Sequence, residues 1–307
     1  MRLKTGVKEA RKPAASLGSA GSRTFMPASA TRSFVSHLNP FGLVRDLVRN
    51  HELLWQFTRR TFHQKHKGAY LGITWSVFSP LLLLGLYFIV FGRIFGGHFS
   101  GRADETNTDF ALALLLGMTV FHFVADLITQ APAIIVGNPN LVKKVVFPVE
   151  VLPLANVGAC LLNFAISLAL VILGALIFGR GVPVTACWMP VIILPLVLLG
   201  AGVAWFLAAL GVFFRDISQV TQFATVLLMY VSAVFFPSAK IRAIPRLWAV
   251  LRFNPLVHAI ELLRNVMLWQ EPPNLAQLGW LYGCALAAFV FGYACFATLR
   301  PSFSDVL

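Results

Sequence analysis

Residues 151–178 read VLPLANVGACLLNFAISLALVILGALIF, 28 positions without one charged side chain. A helix needs about 20 apolar residues to cross roughly 30 Å of hydrocarbon, so this run can span a bilayer with some tilt. Further apolar runs occupy 71–95, 110–136, 189–213, 220–236 and 277–299. Together they predict an all-α integral membrane protein with six transmembrane helices. Composition agrees: 58% of the 307 residues are hydrophobic and 12% charged, against about 25% charged in a soluble domain.

Charge between the runs orders the topology. Residues 1–67 hold thirteen of the 25 Lys and Arg but three of the 12 acids. Bases concentrate on the cytoplasmic side of membrane spans, so this excess predicts a cytoplasmic N-terminus. It also explains a net charge of +13 without nucleic acid as a partner. The 97–109 loop sets Arg102 against Asp104, Glu105 and Asp109, and reads as external. The 137–149 loop, with Lys143 and Lys144, and the 214–219 turn, with Arg215 and Asp216, read as cytoplasmic. Six crossings return the C-terminus to the cytoplasm, giving a multi-pass membrane protein.

One segment runs against this pattern. Residues 237–276 fall outside by count, yet carry Lys240, Arg242, Arg246, Arg252 and Arg264 against Glu261 and Glu271. The apolar stretches 247–251 and 255–269 predict short re-entrant helices between spans five and six. Backbone at that depth is tolerated only when buried in protein or lining a cavity.

Ahead of the spans lie two further segments. Residues 1–38, rich in Ala, Ser and Arg, predict a disordered basic tail. They lack the apolar core of a secretion signal, although the composition is also that of a mitochondrial transit peptide. Met26 is an alternative start. Asn39-Pro40 then suits the cap and first position of a helix. Over 39–58, Phe41, Val44, Leu47, Val48, Leu54 and Trp55 share one face, while Arg45, Asp46, Arg49, Glu52 and Gln56 share the other. This predicts an amphipathic helix in the interface plane, or else one packed on a soluble partner. The membrane domain follows over 59–307.

Its approach, RRTFHQKHKGAYLGITWSVFSP (59–80), places Arg59, Arg60, Lys65 and Lys67 at headgroup depth beside an apolar run. Two purposes compete. A plain anchor gains about 1 kcal/mol per base from anionic lipid. A binding site would instead hold a compact anion, with Arg forking onto phosphate and Lys acting as a point charge.

Catalytic signatures are missing. The only Lys followed by Ser or Thr is Lys4, and Leu3 precedes it, so no Gly-rich phosphate loop exists. No zinc-protease, nucleophile-elbow or paired-carboxylate pattern occurs, and no catalytic residue is assigned. Cys160, Cys187, Cys284 and Cys295 form no C-x-x-C pair, which predicts neither a metal site nor a disulfide frame. Uphill movement would take its energy from a partner or an ion gradient. Asp126 is the one acid deep in an apolar run, about ten residues or 15 Å from its cytoplasmic end. A central Asp costs about 2.5–3.5 kcal/mol to insert, so it should face protein or a wet cavity. A structural hydrogen bond or a pore-lining role is expected, in preference to a proton relay.

Five motifs, in order and at matching topological positions, resemble ABC-2-type polysaccharide export permeases, the O-antigen branch above all. Lys65-His-Lys-Gly-Ala-Tyr-Leu-Gly-Ile-Thr-Trp75, then Pro80, is similar to their approach to the first span. Asn138-Pro-Asn-Leu-Val-Lys-Lys-Val-Val-Phe-Pro148 is similar to their first cytoplasmic loop, and Phe214-Arg-Asp216 to the turn between spans four and five. Phe236-Pro237, then Asn254-Pro255 and Arg264, resemble their external re-entrant segment. Pro301-Ser-Phe-Ser-Asp-Val306 resembles their tail. The resemblance covers about 41–307. His66 stands where the family usually has Tyr, and Ala69 where Ser is usual.

The resemblance implies a pore-forming subunit rather than an enzyme. A homodimer of this chain would sit in the lipid bilayer above two copies of a separate ABC ATPase, which would bind ATP and Mg. The cargo would be a glycan linked to polyprenyl diphosphate, held by Arg59, Arg60, Lys65 and Lys67. Asn138, Leu141, Lys143, Lys144, Arg215 and Asp216 would contact the ATPase. Phe236, Pro237, Asn254, Pro255 and Arg264 would form an external gate. The alternatives are an ABC-2 exporter of drugs or small lipids, an ion-coupled secondary transporter, and a membrane enzyme of glycan synthesis. The last two would need inverted repeats with several buried ionisable groups, or clustered interfacial acids.

Overall fold

The computed structural model describes residues 49–65, 67, 72–94, 99, 105–143, 147–178, 181–237 and 242–307. The tail 1–38, the first part of the 39–58 helix, His66, residues 68–71 and Lys144 lie outside the described residues. Within them every regular element is helical. Helix α1 is His51–Lys65. A 3₁₀ turn, Gly72–Thr74, leads into α2, Trp75–Tyr87, which continues as a π-helix over Phe88–Ile94. The long helices α3 (Asn107–Val136) and α5 (Val151–Phe178) flank a single turn, α4 (Pro139–Val142). Then come α6 (Met189–Phe213) and α7 (Ile217–Val231). Two shorter helices follow, α8 (Pro245–Leu251) and α9 (Pro255–Met267). Last are α10 (Leu275–Leu299) and a terminal turn, α11 (Phe303–Val306).

Helix α3 is the centre of the bundle. Its start is fixed by a capping box: the Thr106 hydroxyl accepts from the Asp109 amide, and the Asp109 carboxylate accepts from the Thr106 amide. From there Leu114, Leu116, Val120, Leu127, Ala131 and Ile135 are fully buried. Helices α5, α6, α7 and α9 pack around it, and α10 packs on α6. Lipid is as apolar as leucine, so close packing rather than water exclusion holds such helices together, and small residues allow it. At the α6–α10 crossing Gly202 faces Gly292, and a Cβ on either would run into the other helix's backbone. Gly202→Leu is therefore expected to lower thermal stability in detergent, by about 1–3 kcal/mol or more for an overpacked site. The control is Gly283→Leu on α10, where a Cβ meets nothing within 4 Å. Equal melting of the two variants would refute close backbone contact as the basis of this crossing.

Contacts sort the loops onto two ends of the bundle. At one end Gly211, near the end of α6, abuts Pro132, near the end of α3. Phe57 of α1 meets Phe147, Phe213 meets Phe303, and Glu150 pairs with Arg300. Helix α1, residues 137–143 and 147–150, the 214–216 turn and the C-terminus thus share that end. At the other end Tyr87 of α2 meets Phe235, the Thr185 hydroxyl donates to the Val266 carbonyl, and Tyr282 donates to Val191.

Three expectations need correction. The amphipathic helix does not end at residue 58: no Gly or Pro interrupts 50–67, and α1 runs on through Arg59 and Arg60 to Lys65. The fifth run, 220–236, is not one helix. Helix α7 has 15 residues, about 22 Å at 1.5 Å per residue, and 232–236 turn away from it. Among the described residues five helices are long and apolar enough to cross a membrane, and α7 is a shorter apolar one. Third, α3 has 30 residues, so at about 45 Å it exceeds the hydrocarbon thickness by roughly 15 Å. The distance from Asp126 to Val136 therefore does not measure depth in the membrane.

Candidate functional site

The cations ahead of α2 do not all face one way, because Arg59, Arg60 and Lys65 project from different faces of α1 and Lys67 lies beyond its end. Thr58 and Phe62, four residues apart, are buried. Gly158 of α5 leaves room for the Thr58 side chain, which a Cβ there would strike. Arg59 and Arg60 lie exposed away from this stripe, with the Arg60 guanidinium 5.9 Å from the Phe57 ring centroid. Lys67 is also exposed. Lys65 points inward. Its Nζ lies 3.3 Å from Asp126 Oδ2 on α3 and 3.3 Å from Cys160 Sγ on α5. Asp126 thus has an ion-pair partner, supplied by the helix ahead of the spans rather than by a span. The contact also sets Asp126 level with the end of α1, ahead of the first turn of α2.

Beyond this pair opens a cavity of about 210 Å³ between α2, α3 and α5. Trp75, Ser76 and Ser79 line it from α2. Thr119, His122 and Asp126 line it from α3, and Asn163 and Ser167 from α5. Ser76 donates to Asn163 Oδ1 at 3.3 Å, joining α2 to α5, and Thr119 donates to the Leu115 carbonyl at 2.8 Å within α3. Apart from Asp126, these residues form a site that composition alone did not reveal. Their spacing carried a signal: Ser76 and Ser79, His122 and Asp126, and Asn163 and Ser167 stand three or four apart. Each pair therefore shares a helix face inside an apolar run. The Lys65–Asp126 contact, across 61 positions, left no local trace.

The residues expected to meet an ATPase lie at the α1 end. Asn138 precedes α4, and its Nδ2 donates to the Ile134 carbonyl at 2.9 Å, folding the segment back under α3. Leu141 packs against the core, while Lys143 is exposed. Arg215 and Asp216 are exposed on the turn between α6 and α7. The Gly211–Pro132 contact brings this turn and 138–143 to the same end.

At the opposite end the expected gate residues are tied into one knot. Asn254 caps α9, accepting from the Leu256 amide, and its Nδ2 donates to Ser232 Oγ at 3.1 Å and to the Val231 carbonyl at 3.4 Å. Pro255 takes the first helical position, where no amide is needed. Arg264 is 5% exposed. Its Nε donates to Ala113 O at 3.0 Å, and its two terminal nitrogens to Ala233 O at 2.8 Å and Val234 O at 2.7 Å. The guanidinium also lies 4.1 Å from the Phe99 ring centroid. Ala233 holds the left-handed φ of +56°, uncommon for a residue with a Cβ. Arg264 thus satisfies carbonyls that the end of α7 leaves without helical partners. Phe236 and Pro237 follow directly, Phe236 exposed.

Comparison with known proteins gives the same architecture a context. The chain is 25% identical over 258 residues to the O-antigen export system permease protein RfbA of Klebsiella pneumoniae, covering 83% of this chain and 95% of that one. A protein of the same name from Myxococcus xanthus is 23% identical over 263 residues, covering 86% and 98%. The polysialic acid transport protein KpsM of Escherichia coli is 24% identical over 238 residues, covering 74% and 86%. The ABC-2 type transporter family matches residues 52–268, from α1 through the Arg264 knot to the end of α9, and the chain belongs to that family.

Proposed function

We infer that this chain is the membrane permease of an ATP-driven exporter that moves a polysaccharide on a polyprenyl diphosphate carrier across the bacterial inner membrane. The observation that carries this reading is the similarity, over 74–86% of the chain, to O-antigen export system permease proteins and a polysialic acid transport protein. Helices α2, α3, α5, α6, α7 and α10 cross the bilayer, with both termini cytoplasmic. Helix α7 completes its crossing through 232–236, and α8 and α9 re-enter from outside. The two-ended sorting of loops supports an even number of crossings. Exposed apolar faces on α2 (Phe78, Leu82, Leu86) and α7 (Phe223, Leu227, Tyr230) meet lipid or a second copy in a homodimer. ATP and Mg²⁺ bind a separate ATPase, two copies of which dock at the α1 end against Leu141, Lys143, Arg215 and Asp216. Arg59, Arg60 and Lys67 meet the diphosphate, and Phe236, Pro237 and the Arg264 knot form the external gate.

Cells lacking the chain should complete lipid-linked glycan but hold it in the inner leaflet, and surface glycan should return when the gene does. Lys143→Glu with Arg215→Glu should reverse the charge of the docking face and reduce the co-purified ATPase about ten-fold, with normal insertion. Unchanged surface glycan in the deletion strain would refute the export role. Unchanged ATPase recovery in the double variant would refute the docking assignment alone.

A further inference from the structure

We propose that the cavity between α2, α3 and α5 is a subsite for the glycosyl unit that adjoins the diphosphate. This deepens the export reading and rests on it. Polar side chains inside a membrane-spanning bundle are costly unless they meet protein, water or ligand. Here hydroxyl, amide, imidazole and carboxylate groups converge from three helices on one space of about 210 Å³. Among the described residues neither Ser79 nor Ser167 has a side-chain hydrogen bond to protein, and both line the cavity. Serine offers both donor and acceptor, and the Asp126 carboxylate accepts only, a mixture that suits vicinal hydroxyls. Trp75 is half exposed at the start of α2, where its indole face can cover a sugar ring. The space, about 210 Å³, is large enough to admit a sugar ring.

The position is consistent with that ligand. The cavity begins at Lys65 and Asp126, level with the end of α1. From that mouth it runs inward to Thr119 and Ser167, near the midpoints of α3 and α5. Lys65, paired with Asp126, stands at the mouth of the cavity. Hydroxyl-rich headgroups of bulk lipid share this chemistry, and the experiment separates them.

The test uses the full-length chain in nanodiscs and three probes: polyprenyl diphosphate carrying one hexose, the same carrier without sugar, and phosphatidylglycerol. The hexose-bearing carrier should bind about ten-fold or more tightly than the bare diphosphate, a ratio that a few hydrogen bonds can supply. Ser167→Phe and Ser79→Leu, which fill the space from two different helices, should each remove that preference and leave binding of the bare carrier unchanged. Wild-type protein that binds both carriers equally overturns the subsite while leaving the export reading intact. Binding of neither carrier defeats the export reading itself. Competition by phosphatidylglycerol as strong as by the hexose-bearing carrier overturns the sugar assignment. Because the wild-type comparison needs no variant, a misfolded variant does not obscure the result.

Discussion

Arg264→Ala is expected to leave little folded protein in the membrane, the largest stability effect in the molecule. Removing the guanidinium deletes three hydrogen bonds from a charged donor, each worth about 1.5–3 kcal/mol. It also strands the carbonyls of Ala233 and Val234, beyond the end of α7, where water does not reach, at about 1–3 kcal/mol for each unpaired group. Total stabilities run about 5–15 kcal/mol, so the loss is comparable to the whole. Lysine should rescue poorly. Its three donors radiate from one point, without the planar fork whose separate nitrogens here reach carbonyls on two segments. The measurement is the amount of inserted protein and its melting temperature in detergent. An Arg264→Ala protein that accumulates and melts like the wild type would show that the knot is dispensable.

A second variant isolates the geometry from the charge. Gly117 on α3 lies against the Arg264 guanidinium, and a Cβ there would overlap one terminal nitrogen. Gly117→Ala should displace the arginine and reproduce part of the loss. In an Arg264→Ala background the same change should cost little, because the atom it collides with is gone. Such non-additivity is the mark of direct contact.

Hydrophobic runs were legible because each span is a local property of 20 to 30 consecutive residues. The 151–178 run and helix α5 share both ends, and 189–213 and α6 do also. Legibility failed where long-range contacts decide. Nothing local announces that α7 stops at Val231, since 232–236 are apolar enough to continue it. What holds the chain in a turn there is Asn254 and Arg264, 22 to 31 positions away. Charge counting likewise left Arg264 among five bases of an anomalous external loop. Burial removes it from that count: it neutralises backbone dipoles rather than contributing to a surface. Arg242 is paired with Glu261 at 2.8 Å, which further weakens the anomaly. Asp126 looked solitary because the residue it pairs with stands 61 positions away, ahead of the spans. Its partner, Lys65, was among the cations assigned to phosphate, and only the packing of α1 on α5 turns that one side chain inward.

The surviving candidates for phosphate, Arg59 and Arg60, yield the largest expected functional effect. Both are exposed, so replacing them should cost little stability; the main local loss is the contact between Arg60 and Phe57, about 0.5–1 kcal/mol at an exposed site. Insertion should survive, since eleven of the thirteen bases in residues 1–67 remain to orient the chain. If the pair holds a diphosphate, Arg59→Gln with Arg60→Gln removes two charge-assisted contacts of about 1.5–3 kcal/mol each. At about 1.4 kcal/mol per decade, capture should weaken by roughly two orders of magnitude or more. Replacement of both by Lys should be intermediate, retaining charge but losing the bidentate fork. A lipid anchor predicts a different order, with Lys as good as Arg and Gln costing little, because bulk anionic headgroups are not read by geometry. The measurement is surface glycan per unit of inserted permease across the Arg, Lys and Gln forms. Export by the Gln form at the wild-type level would assign these arginines to anchoring and leave Lys65 and Lys67 as the cations nearest the first span.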